Sequence, residues 1–153
     1  MKKLPWILAA IFFILNIALV YVFIFKGETV DLKDGRKGIP LNKPNKDFVL
    51  DEMRSFLESV QQINEGIIKN DKSLVIKAGE KSGGSVIDHA PQGMMAKLPM
   101  DFKALGFATH AVFDEIAESA RNNFEPAQTR EQMAKLLGNC VSCHKQFRIL
   151  DEE

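Results

Sequence analysis

The chain has 153 residues with 20 basic and 20 acidic side chains, a formal charge of zero, enough for one domain with appendages. From Pro44 onward 13 Lys and Arg face 17 Asp and Glu, a charge of −4, and no basic patch stands out, which excludes a nucleic-acid surface. There is no internal repeat, low-complexity tract or Gly-rich phosphate loop.

Residues 4–25, LPWILAAIFFILNIALVYVFIF, run without a charge, long enough for a helix that crosses a hydrocarbon core. Trp6 and Tyr21 lie toward opposite ends of the run, where amphipathic rings favour the interface, and Asn16 is its one strongly polar side chain. Met1-Lys2-Lys3 resembles a signal n-region. The apolar stretch, however, exceeds an h-region, and FIFKGETV after it lacks a small-x-small cleavage site. The expectation is an uncleaved signal anchor over 1–25. Residues 26–45, polar and rich in Gly and Pro, read as a flexible tether, and 46–153 as the folded domain.

The domain has a helical period. Val49, Met53, Phe56, Val60, Ile63 and Ile67 are spaced 4, 3, 4, 3, 4, a heptad seam, with Asn45 as the N-cap after Pro44. DKSLVIKAGEKSGGSVIDHA predicts a second, weaker helix, because Gly79, Gly83 and Gly84 interrupt it at a cost of ~1 kcal/mol each in a helix interior; its small residues leave room for something large inside. APQGMMAKL reads as a loop. Phe102, Leu105, Thr109, Val112, Ile116 and Ala120 mark a third helix, with Pro99 at its start. A fourth begins at Thr129 with Gln132 as a capping box; its seam is Met133, Leu136/Leu137, Cys140, His144 and Phe147. The expected class is therefore all-α: an antiparallel up-down four-helix bundle preceded by one transmembrane helix.

The only cysteines stand in Cys140-Val-Ser-Cys143-His144. A thioredoxin-like pair belongs at a strand-to-helix junction, and no strand pattern is visible. Zinc needs four ligands, and the other two histidines, His89 and His110, lie at unrelated positions. A disulfide would not require His144. C-x-x-C-H is a specific signal for covalent haem: two thiols form thioethers with the porphyrin vinyl groups, and the adjacent imidazole takes one axial position. Since c-type haem is attached outside the cytoplasm, the reading orients the chain, with its amino terminus inside and its domain in the periplasm.

One haem motif near the C-terminus of a four-helix bundle resembles the class II cytochromes c, the cytochrome c′ and cytochrome c-556 group. CVSCHKQFR is similar to that family's ending, and LPMDFKALG to the start of its third helix. The resemblance covers roughly residues 46–150. It implies Cys140 and Cys143 as thioether attachments, His144 as proximal iron ligand, and Arg148 as the positive group near the haem. Arg148 is one helical turn beyond His144 and so shares its face; read alone, it is equally a solvated charge favouring the helix dipole. Phe102, Phe113 and Phe147 are core residues first and haem-packing residues second.

In the family the distal position comes from the first helix. Low-spin members place a methionine there; the cytochrome c′ type places an apolar residue and leaves iron open to small gases. Here Met53 is the matching residue. A slip of one turn would substitute Phe56 or Leu57, Leu50 is one position off the seam, and His110 is the bis-histidine alternative, otherwise a boundary residue bonded to solvent. Met94, Met95 and Met100 line the bundle end. No catalytic constellation is present, so the expected protein is an electron carrier and not an enzyme. It would hold one haem c, sit in the cytoplasmic membrane and exchange electrons with membrane or periplasmic redox proteins; homodimerisation, seen in some relatives, stays open. The alternative is a five-coordinate protein that binds nitric oxide or carbon monoxide.

Overall fold

A computed structural model describes residues 3–21 and 27–152. Helix α1 spans Leu4–Val20 and buries none of its side chains. Asn16 donates its amide to Phe12 O at 2.8 Å, so its polarity is satisfied within the helix. Among the described residues no helix is long and apolar enough to cross a membrane; residues 22–25 of the apolar run, and Met1 and Lys2 before it, lie outside them.

The chain is mostly helical, in keeping with the expected all-α class, with one small addition: strands β1 (Val30–Asp31), β2 (Lys37–Leu41) and β3 (Phe147–Asp151) form a three-stranded sheet. β1 pairs antiparallel with β2, and β2 runs parallel to β3 with Lys37 opposite Phe147 and Leu41 opposite Asp151. The expected tether over 26–45 is thus corrected. Ile39 and Leu41 are 0% and 1% exposed in one core cluster with Val49, Met94, Leu98 and Phe147. Those two side chains carry enough apolar surface to hold the segment down, which its Gly and Pro content conceals. Residue 26 lies outside the described residues.

The described part of the body begins at Gly27. Its φ of +57° suits glycine, and a Cβ there would stand 2.4 Å from Pro99 N. The next residue donates its N–H to Lys97 O at 2.8 Å, and Lys97 bridges Glu28 and Glu152, both at 2.9 Å.

Helix α2 is Lys43–Lys69, α3 Lys72–Lys81, a 3₁₀ turn follows at Gly84–His89, and a short α4 spans Met94–Lys97 where the sequence suggested only loop. Helices α5 (Met100–Asn122) and α6 (Pro126–Gln146) complete the set. Helices α2, α3, α5 and α6 pack in a ring, α2 on α3, α3 on α5, α5 on α6 and α6 on α2. Two helix starts differ from expectation. Asn42, not Asn45, caps α2, accepting from Asn45 N–H at 3.1 Å while Asn45 itself is buried. Helix α6 starts three residues before Thr129, with Pro126 in its first turn. No capping box forms: the Thr129 hydroxyl donates to Glu125 O, and Gln132 Nε2 donates to Ser119 Oγ at 2.9 Å.

The small residues of α3 and the turn after it make room for α5 rather than for a large cofactor. A Cβ on Gly79 would stand 2.8 Å from Phe113 O and 2.9 Å from Ala117 Cβ. Ser82 Oγ meets Ser59 Oγ at 2.8 Å, both buried, and Gly84 N–H donates to Asp114 at 2.9 Å. Gly79→Ala should therefore lower stability although alanine favours helix by ~1 kcal/mol. Overpacking of this kind costs typically ~1–3 kcal/mol, and a urea midpoint at or above that of the wild type would refute the contact.

Candidate functional site

Helix α6 carries Cys140, Cys143 and His144 on the face turned toward α2 and α5. Both cysteines are free and partly buried. With His144 they line a cavity of roughly 820 Å³ including its open mouth. Met53 and Phe56 contribute from α2, Met94 and Met95 from α4, and Phe102 and Phe107 from α5. A second cavity of about 540 Å³ shares Met53, Phe102, Cys143 and His144 with the first, and adds Arg36, Leu50, Phe147, Arg148 and Ile149.

Cys140, Cys143, His144, Met53, Phe102, Phe147 and Arg148 thus gather around two adjoining cavities, whereas Phe113 is buried in the other core cluster and lines neither. Phe102 and Phe147 meet edge to face, ring centroids 5.5 Å apart, and Phe147 is 6% exposed. Arg148 does not sit where expected. Helix α6 ends at Gln146, so Arg148 lies on β3 and not one helical turn beyond His144. The parallel pairing with β2 draws the chain into extended form there, yet Arg148 still reaches the second cavity. Of the distal alternatives, Leu57 is 71% exposed, whereas Phe56 and Leu50 each line one cavity and Met53 lines both.

The chain matches no family model, no curated protein and no solved structure.

Burial pushes both thiols up, Cys143 to about 11 with Cys140 adding to the shift. They stay protonated at neutral pH, the opposite of the lowered thiol pKa that redox-exchanging C-x-x-C pairs use. Among the described residues no three His, Cys, Asp or Glu side chains form a metal-ion cluster. A haem makes no such demand, since one protein imidazole and two thiols suffice. The residues fit one: His144 is exposed at the cavity edge, the two thiols are free beside it, and the walls are mainly apolar.

Two residues that the sequence reading undervalued complete the cavity. His110 is buried, not a boundary residue bonded to solvent: it is 8% exposed and its Nδ1–H donates to Ser82 O at 2.9 Å. Its Nε2 lies 3.7 Å from Glu52 Oε2, and its ring meets Phe56 edge to face at 5.0 Å. The available signal was a second stripe, Glu52, Phe56, Ser59, Ile63 and Gly66 on α2, spaced 4, 3, 4, 3, with Gly106, His110, Phe113, Ala117 and Ala120 on α5 at the same spacing.

Burial pushes the Glu52 carboxyl above its usual range, with His110 pulling the other way. The native state therefore keeps a proton that the unfolded chain has lost, and stability falls as pH rises from the ordinary glutamate range through the folded value. Glu52→Gln is expected to flatten that slope, raising the urea midpoint at pH 7 and leaving it nearly unchanged near pH 4. An unaltered slope would remove Glu52 as its source.

Proposed function

We propose that this chain is a membrane-anchored monohaem c-type cytochrome that passes single electrons between redox proteins of the membrane or periplasm. On this reading α2, α3, α5 and α6 are the antiparallel up-down four-helix bundle of a class II cytochrome c. The observation that carries it is the convergence of Cys140, Cys143 and His144 from α6 with Met53 from α2 on one largely apolar cavity. Cys140 and Cys143 would hold the haem by thioether bonds, and His144 and Met53 would supply a nitrogen and a sulfur to its iron. The haem supplies the one-electron couple. Phe56, Phe102, Met94 and Leu98 exclude bulk water, and a thioether opposite an imidazole favours a raised potential. Residues 1–25 hold the protein in the cytoplasmic membrane, and the domain faces the periplasm.

Raised thiol pKa values and a position within the last two turns of α6, away from any strand-to-helix junction, favour permanent attachment over thiol exchange. The deciding experiment is the absorption spectrum of the detergent-solubilised protein, oxidised, reduced, and reduced under carbon monoxide. Sharp low-spin bands, a sulfur-to-iron charge-transfer band when oxidised and no response to the gas are expected. Broad high-spin bands that shift with carbon monoxide would reject Met53 as a ligand and make gas binding the function. A protein without covalent haem would end both readings.

A further inference from the structure

Asn16 is the one strongly polar side chain in the apolar run 4–25. That run is centred at Ile14 and Leu15, so Asn16 stands ~2 Å along a helix axis from its middle. On the anchored reading above, on which this inference rests, ~15 Å of hydrocarbon then lies to either side. A short amide cannot reach water across that depth, as the long stem of a lysine does near a helix end.

The amide is only half satisfied. Nδ2 donates to Phe12 O at 2.8 Å, which uses one of its two N–H groups and none of its acceptor capacity. The carbonyl Oδ1 and the second N–H have no partner among the described residues, and every described side chain of α1 is exposed. Nothing on α1 can supply one. Trp6 lies ten residues before Asn16 and Tyr21 five after, both off its face at 100° per residue, and the backbone N–H groups around it are taken up in the helix. Hydrocarbon offers neither donor nor acceptor, so the missing partner is an amide-like group at the same depth on another helix.

A second copy of this chain meets that requirement. Two copies inserted the same way place Asn16 beside Asn16 at one depth, and each amide can give an N–H and accept one. The sequence around it suits a helix pair. Pro5, Ala9, Phe12, Asn16 and Leu19 are spaced 4, 3, 4, 3, the seam of two helices that cross at a shallow angle. Ala9, one heptad before Asn16, is small enough to let the two backbones approach. Ile7 and Ile14 fall on the opposite side of the helix.

We infer that α1 pairs in parallel with α1 of a second copy through a hydrogen bond between the two Asn16 amides. The contact lies in the membrane segment, apart from the four-helix body, and holds two single-electron carriers side by side in one bilayer.

The test uses the full-length protein in density-matched detergent micelles and in lipid vesicles. Sedimentation equilibrium in the micelles should show a monomer–dimer equilibrium, weakened on the order of tenfold by Asn16→Val and preserved by Asn16→Gln. The visible spectrum should be the same for all three proteins. In vesicles, mild oxidation should cross-link Ala9→Cys and Leu19→Cys as dimers and leave Ile7→Cys and Ile14→Cys as monomers, with the unaltered chain as the control for Cys140 and Cys143. An unchanged dissociation constant for Asn16→Val, or equal cross-linking at all four positions, overturns the inference and spares the anchor. Wild-type protein that stays monomeric until a different membrane protein is added gives Asn16 to that protein and overturns it too. Protein that never enters the vesicles overturns the anchored reading and the inference with it.

Discussion

Replacing both Cys140 and Cys143 by alanine is expected to abolish covalent haem completely, so that acidified organic solvent extracts all the pigment or no pigment is acquired at all. The expected result is specific because the fold has little stake in either thiol. Both are only partly buried, neither makes a disulfide, and alanine is the best helix former. Far-UV circular dichroism should keep the helical signal while the haem stain on a denaturing gel disappears. The single variants should each retain haem through the remaining thioether. A double variant whose gel band still stains would mean that these thiols are not the attachment, and the assignment of His144 would fall with them.

Ile39→Ala is expected to cost about 2–5 kcal/mol, the range for large-to-small changes at fully buried aliphatic positions. Ile39 is 0% exposed, pairs with Ile149 across the parallel strands, and packs in the cluster that includes Met53, Phe102 and Cys143. Were residues 26–45 a free linker, the change would be silent. Val30→Ala on the neighbouring strand, where Val30 is 50% exposed, is the control and should stay within about 0.5 kcal/mol. Equal urea midpoints for the two variants would refute the docked strand. Because the same cluster walls the cavity, Ile39→Ala should also broaden the visible bands of the holoprotein, an effect that Val30→Ala lacks.

What the sequence made legible followed from local period and local chemistry. The seams on α2, α5 and α6 are runs of 3 and 4, and they correctly placed Val49, Ile63, Ile67, Val112, Ile116 and Leu136 in the interior. Cys140-Val-Ser-Cys143-His144 is five consecutive residues and needed no fold to be noticed. The β2–β3 pairing was illegible because neither strand speaks for itself: Lys37–Leu41 contains a Gly and a Pro, and its partner lies at the other end of the chain. Arg148 was misplaced for the same reason, since the helix was continued past the point where that partner draws it straight. Glu52 and His110 were undervalued because a single seam is too narrow for a ring of helices. Each helix touches two neighbours, so its buried stripe widens beyond the heptad positions and takes in polar residues one step off the seam.

The parallel strands also set an order of assembly. β2 emerges early in synthesis and has no complete partner until β3, ~110 residues later, is made. Contacts so far apart in the chain are slow to form. Until then Ile39 and Leu41 have no lid of their own, and the wall between them and Cys143 stays open. Phe147 and Ile149 of β3 are thus among the residues that shut the cavity. Cys140 and Cys143, a few residues before β3, are therefore in place before the cavity beside them closes.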